Sequence, residues 1–177
     1  MPERAPLVVA YIAAGSNIEP RRNLAAAMDA LRHEIDLTAV STVYRTPAID
    51  RPEDPDFLNC VFAAETAIGP RELKLDVLRG IEDSLGRQRG TDKYAPRRID
   101  LDLILYGNAV IDEPDLKIPH PDISRWFVRV PLLELAGELE LPTSGRKLSD
   151  LAGLDLEPRG AQPLAQFTES LRRRLRE

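Results

Sequence analysis

The residues with the most chemical promise stand close together near the middle of the chain. Asp100 and Asp102 flank Leu101 in the run Ile99-Asp-Leu-Asp-Leu-Ile-Leu. On a strand the side chains alternate, so Ile99, Leu101, Leu103 and Leu105 are expected on one face and both carboxylates on the other. Two neighbouring carboxylates repel, so one keeps its proton unless a cation neutralises the pair. A divalent metal meets that need. Hard oxygen donors with few other protein ligands suit Mg²⁺, which keeps its waters and shares substrate phosphates. A solvated sheet face, or carboxylates paired with arginine, satisfies the same pattern. The preceding loop bears on the choice: Arg87, Arg89, Lys93, Arg97 and Arg98 stand against Asp92 alone, a local charge of +4. Guanidinium forks grip phosphate oxygens in pairs, and phosphoryl transfer needs cations where charge spreads over those oxygens. Alone, such a run is an ordinary solvated loop. Leading into an acidic pair, it reads as a lid bracketed by Gly90 and Pro96.

A second group suits a flat heterocycle. Phe57 and Asn59 lie two apart on a predicted strand, both turned away from Leu58, Cys60 and Phe62. An aromatic face stacks on a ring, and an amide offers both a donor and an acceptor. A strand-edge Phe and a turn-supporting Asn are the plain alternative. His120, between Pro119 and Pro121, carries little information by itself.

These residues need a frame, and hydrophobic periodicity supplies one. The apolar run 7–14 reads as a strand closed by Gly15-Ser16-Asn17. Pro20 suits the first position of a helix, and Leu24, Met28, Leu31 and Ile35 recur at helical spacing. Residues 38–46 are rich in β-branched side chains and predict a strand. A proline-rich acidic loop, 47–55, leads to a strand over 57–66, hairpin-paired to the one before. Pro70 opens a second helix carrying Leu73, Val77, Leu78, Ile81 and Leu85, with Gly86 as its cap. Residues 87–98 have no hydrophobic period and predict a long loop; residues 99–106 predict a strand. A helical stretch is expected near 127–136. Leu164, Phe167, Leu171 and Leu175 mark a terminal amphipathic helix. The order β-α-β-β-α-β predicts an α+β fold: a ferredoxin-like antiparallel sheet with helices on one face, plus C-terminal helical additions. The expected division is a catalytic domain over 1–157 and a tail over 158–177.

Bulk properties exclude some functions. The 177 residues suit one domain with a proper core. With 24 basic and 29 acidic side chains the formal charge is −5, which argues against a general nucleic-acid binder. Cys60, the only cysteine, sits in an apolar run and reads as a core thiol in a reducing cytoplasm. No stretch is apolar for long enough to span a bilayer, and the first apolar run reads as a buried strand rather than a signal peptide.

The segment Arg87-Gln-Arg89, followed by Lys93-Tyr94-Ala95-Pro96-Arg97-Arg98-Ile99-Asp100-Leu101-Asp102-Leu103-Ile104, resembles the signature of 6-hydroxymethyl-7,8-dihydropterin pyrophosphokinases. Tyr11 to Asn17, Val43-Tyr44-Arg45-Thr46-Pro47, Asp56-Phe57-Leu58-Asn59 and Ile118-Pro119-His120-Pro121 resemble further segments of that family, in the same order. The likeness covers roughly residues 7 to 142. It implies diphosphate transfer from ATP to the pterin hydroxymethyl group, releasing AMP, on the route to folate. It implies that Asp100 and Asp102 hold two Mg²⁺ ions. Arg87 and Arg97 would be catalytic lid arginines on the triphosphate, with Arg89 assisting. Glu82, His120 and Arg125 would lie at the nucleotide. Thr46, Pro47 and Ile49 would border the pterin with backbone, Asn59 would read its polar edge, Phe57 and Phe127 would sandwich it, and Tyr94 would be among the residues that bind it. Tyr94-Ala95 stands where members often carry Trp-Gly, and the segment between His120 and Pro131 is about one residue shorter than a common form. The expected partners are ATP and the reduced pterin, with no nucleic acid and no membrane. A monomer is expected, with the arginine-rich tail (Arg172, Arg173, Arg174, Arg176) free to touch other folate-pathway enzymes. Two rivals remain: another two-metal phosphoryl or nucleotidyl transferase, and a noncatalytic ligand-binding module on the same sheet.

Overall fold

A computed structural model describes residues 5–48, 51–92, 94–151 and 160–177. Strand β1 (Val8–Ser16) leads through the Gly15-Ser16-Asn17 turn to helix α1 (Pro20–Glu34), then to β2 (Asp36–Val40), β3 (Tyr44–Thr46) and β4 (Phe57–Thr66). A continuous helical stretch follows, made of α2 (Pro70–Glu72), a wide-turned π segment (Leu73–Leu78) and α3 (Arg79–Ser84). It stops at Gly86, whose φ of +81° is the left-handed turn that glycine adopts without steric cost. Strand β5 (Asp100–Tyr106), the small hairpin β6 (Ile111–Glu113) and β7 (Leu116–Ile118), helix α4 (Trp126–Ala136), the two-residue strand β8 (Gln162–Pro163) and helix α5 (Ala165–Arg176) complete the chain. Pro20 and Pro70 each open a helix, as their fixed φ and absent N–H predict. No helix among the described residues is long and apolar enough to cross a membrane.

The sheet runs β5-β1-β4-β3-β8, with β2 also on β4, and every pair is antiparallel. The class is α+β. The strand predicted over 38–46 is broken into β2 and β3, which share one edge of β4. The break has a cause. The Ser41 hydroxyl accepts the Val61 N–H (2.9 Å), and the Val43 N–H turns to the Thr168 hydroxyl of α5 (2.9 Å).

The two helices between the first and last predicted strands pack on one face, as expected, and a helix of the C-terminal additions covers the other. Leu58, Cys60, Phe62 and Ala64 of β4 pack with Leu24, Met28, Leu31, Leu73, Leu78, Ile81 and Leu171 on one side. Val61 and Ala63 pack with Val128, Leu132 and Ala136 of α4 on the other. Strand β4 is apolar on both faces, so both need cover. An amphipathic stripe shows that a helix must dock without showing which face receives it. The expected facing of Leu105 is corrected. A register shift between Tyr11 and Ile12 leaves Ile104 as an extra residue in β5, so the alternation slips. Leu101 and Leu103 join the first cluster, whereas Ile104 and Leu105 join the second.

The predicted boundary between 157 and 158 lies outside the described residues. Beyond it, β8 pairs with β3, and α5 buries Leu171 in the main core.

Candidate active site

The end of β1, the β3–β4 ladder, the start of β5 and the N-terminal turn of α4 surround a cavity of about 320 Å³. Strand pairing builds one wall. Asn59 lies between Gly15 on β1 and Tyr44 on β3. Its Nδ2 donates to Thr46 Oγ1 (2.8 Å), which fixes the orientation of the buried amide. A Cβ on Gly15 would stand 2.7 Å from Asn59 Oδ1, so only glycine lets the amide approach so closely. Phe57 and Phe127 both line the cavity, with Pro47 and Tyr94 at its border. Trp126 meets Phe127 edge to face at 6.0 Å.

The acidic wall is Asp100 and Asp102, which line the same cavity while Leu101 between them enters the core. Asp100 accepts from Arg87 Nη1 (2.5 Å) through one oxygen and from Arg97 through the other. In this state, then, the arginine pairing read as an alternative from sequence holds for Asp100. Asp102 has different company. His120 Nε2 is 3.7 Å from its Oδ1, and Asp122 lies near; donor atoms of Asp102, His120 and Asp122 fall within 4.8 Å of one another. Burial, with the charges of Asp100, Asp122 and Glu82 added, pushes the Asp102 carboxyl up to about 7. Burial lowers the pKa of His120. Its Nδ1 accepts the Asp122 N–H (3.1 Å), so the neutral ring carries its proton on Nε2, towards Asp102. Crowded carboxylate oxygens with raised proton affinity fit a hard divalent cation such as Mg²⁺.

Behind this wall Glu82 of α3 is buried and acts as an anchor. It accepts the Leu101 N–H of β5 (2.7 Å), pairs with Arg87, and receives Arg89 Nη2 (2.7 Å). Burial raises its pKa, and the Leu101 N–H and the two arginines oppose that rise. The foot of the arginine loop is tied to the first turn of the chain. Asn17 Oδ1 accepts the Arg97 N–H (2.7 Å), and the Asn17 and Ile18 N–H groups donate to the Arg97 carbonyl (3.0 and 3.2 Å). Sequence spacing alone did not show that clamp.

Of the residues predicted for the site, Thr46, Pro47, Phe57, Asn59, Tyr94, Arg97, Asp100, Asp102, Arg125 and Phe127 line the cavity. Arg87, Arg89, Glu82 and His120 stand just outside it, joined through Asp100 or beside Asp102. Ile49, predicted at the pterin, and Lys93 lie outside the described residues. Arg98 turns away to Glu19 (3.5 Å), so it adds no charge to the acidic wall. Gly15, Asp122 and Trp126 line the cavity without having been singled out. Asp122 had a signal in its place two residues beyond His120, and Trp126 in being the only tryptophan.

An acidic pair with arginines on one of its members, next to a pocket with an aromatic wall and one fixed amide, is the equipment of a phosphoryl-transfer enzyme acting on a flat ring. Comparison with known proteins makes the class particular. Residues 11–137 match the 7,8-dihydro-6-hydroxymethylpterin-pyrophosphokinase family, and the chain belongs to it. The chain is 42% identical over 145 residues to the 2-amino-4-hydroxy-6-hydroxymethyldihydropteridine pyrophosphokinase of Pseudomonas aeruginosa, covering 80% of this chain and 88% of that one. It is 40% identical over 142 residues to the enzyme of the same name from Haemophilus influenzae, covering 78% and 88%. Among solved structures, a triple mutant of Plasmodium falciparum HPPK-DHPS superposes with a TM-score of 0.68 at 12% identity, covering 92% of this chain. This chain spans about half of that one, 48%, so the likeness concerns the fold.

Proposed function

We infer that the chain transfers diphosphate from ATP to the hydroxymethyl group of 6-hydroxymethyl-7,8-dihydropterin, in folate synthesis. The observation that carries this reading is the shared cavity: the Phe57–Asn59–Phe127 pocket opens directly onto Asp100, Asp102 and Arg97. In the reaction the pterin hydroxyl oxygen bonds to the β-phosphorus and loses its proton. The bond from that phosphorus to the α–β bridging oxygen breaks, and AMP leaves.

Phe57 and Phe127 stack on the pterin, and Asn59, its amide steadied by Thr46, reads the polar edge. Thr46, Pro47 and Ile49 border the ring with backbone, and Tyr94 covers it. Arg87 and Arg97, with Arg89, move from their carboxylates to the triphosphate oxygens. His120 and Arg125 hold the nucleotide, and Glu82 anchors the arginines. Asp100 and Asp102 would hold Mg²⁺, two ions in this reading, which would neutralise phosphate charge and acidify the attacking hydroxyl. With the substrates oriented, positioning supplies much of the rate.

The strand order, with β5 and β4 flanking β1, supports a ferredoxin-like βαββαβ core for the catalytic domain, 1–157, on which the tail 158–177 docks. The buried Cys60 thiol, its pKa pushed up to about 12 by burial, suits the cytoplasm. A monomer acting on two small substrates, with the tail available to neighbouring folate enzymes, completes the proposal. The test is a coupled assay with ATP, Mg²⁺ and 6-hydroxymethyl-7,8-dihydropterin. Pterin-dependent AMP and the diphosphorylated pterin support it; release of inorganic pyrophosphate points to a nucleotidyl transferase, and binding without turnover to a noncatalytic module.

A further inference from the structure

Two loops border the cavity. One joins β3 to β4 and carries Arg51; the other joins α3 to β5 and carries Asp92 and Tyr94. Their far ends are held by one side chain: Asn17 Nδ2 donates to the Pro55 carbonyl (3.3 Å), and its Oδ1 accepts the Arg97 N–H (2.7 Å). Nearer their tips, Arg51 Nη2 donates to Asp92 Oδ2 at 2.6 Å, across 41 residues of sequence. The other oxygen of the same carboxylate, Oδ1, accepts the Tyr94 N–H at 3.0 Å, and the Asp92 carbonyl accepts the Ala95 N–H at 3.2 Å. Arg51 is itself steadied by a local turn, in which the Asp54 N–H donates to its carbonyl (3.0 Å). Tyr94 lines the cavity beside Thr46, Pro47 and Ala48, the residues that begin the loop carrying Arg51.

We propose that Asp92 and Arg51 form a latch between the two loops, with Asp92 as a positioning residue that sets Tyr94 over the pterin pocket. Asp92 bonds both to the opposite loop and to the Tyr94 backbone, so the tyrosine's position reports whether the loops are joined. The contact is built to open. The Arg51 and Asp92 side chains are 34% and 46% exposed, and ion pairs at such sites are weak and sensitive to salt. Asn17 acts as the hinge and the ion pair as the catch. A pterin entering through the loops breaks the pair, and closure re-forms it with Tyr94 above the ring. The latch thus favours retention of the pterin over that of the nucleotide, whose contacts lie on the Asp100 and His120 side.

The kinetic part rests on the proposed function; the structural part does not. In millisecond hydrogen exchange on the free protein, Arg51→Gln should speed exchange across residues 91–97 by about two- to five-fold, while Arg51→Lys stays close to wild type. Unchanged exchange in Arg51→Gln overturns the latch whatever the protein catalyses. In turnover at low salt, about 50 mM, Arg51→Gln should raise KM for the pterin by about two- to five-fold and leave KM for ATP and kcat alone. The wild-type value should drift towards it as salt rises. Asp92→Asn, which keeps an acceptor for the Tyr94 N–H, should raise KM for the pterin likewise, and the double variant should be no worse than either single one. Equal rises in both KM values, or additive single effects, overturn the proposal. A wild-type protein that makes no AMP from ATP and pterin refutes the functional reading instead, and the exchange result still decides the latch.

Discussion

Replacing Asp102 by Asn should make the metal-free protein more stable above neutral pH while abolishing its grip on metal-bound ATP. Burial and neighbouring carboxylates raise the Asp102 pKa from 3.8 to about 7. A folded-state pKa raised above the unfolded value means that the native protein binds this proton more tightly. The stability from that proton is fully present below pH 3.8 and is lost as pH rises through 7. The full shift corresponds to about 4 kcal/mol at 1.36 kcal/mol per unit. The side chain is 31% exposed, so solvent screening reduces this to about 1–2 kcal/mol. For a domain of this size each kcal/mol moves Tm by about 2–4 °C. In EDTA at about pH 8.5, the Asp102→Asn variant should therefore melt about 2–8 °C above wild type. At about pH 3.5, where wild-type Asp102 is largely protonated in the folded and the unfolded state alike and resembles the amide, the two should melt together. Adding Mg²⁺ and ATP at about 100 times Kd should stabilise wild type by about 2.7 kcal/mol, and the variant by much less. Thermal unfolding at two pH values, with and without ligand, reads all of this. A variant no more stable than wild type at pH 8.5, or one that keeps its ligand stabilisation, would refute the reasoning.

Gly15→Ala puts a Cβ 2.7 Å from Asn59 Oδ1 and must displace the amide. KM for the pterin should rise about ten-fold, the cost of roughly one good hydrogen bond, with KM for ATP little changed in steady-state kinetics. Glu82→Gln keeps an acceptor for the Leu101 N–H but removes the charge facing Arg87 and Arg89. Denaturant titration should show a loss of about 2–3 kcal/mol, accompanied by a lower kcat, because the arginines lose their anchor. Thr168→Val leaves the buried Val43 N–H without its hydroxyl acceptor. It should cost about 1–2 kcal/mol of stability in the same titration, with turnover unaffected at a temperature where both proteins are folded.

Much of the frame was legible because local rules dominate it. Pro20 and Pro70 start helices at the predicted residues, and the alternation of β4 divides its side chains between two cores as written. The acidic pair was visible because strand geometry fixes the facing of Asp100 and Asp102 whatever surrounds them. What stayed hidden depends on partners distant in sequence. The slip at Ile104 comes from pairing with β1, and the break between β2 and β3 involves a hydroxyl on α5, 125 residues from Val43. Glu82 showed its position on a helix but not its task, since three groups from two other segments converge on it. Charge counting also treated all five loop cations alike, whereas Arg98 is turned to Glu19 and Arg87 to the acidic wall.

The two-residue strand β8 has a consequence for solubility. It occupies the outer edge of β3, and Pro163, lacking an N–H, offers no donor there for a further chain. Trimming the C-terminal segment would uncover the Tyr44–Arg45 backbone as a template for another molecule's strand, so self-association would accompany the stability lost with Leu171 and Thr168. The last fifteen or so residues thus serve as a stopper that keeps the sheet finite.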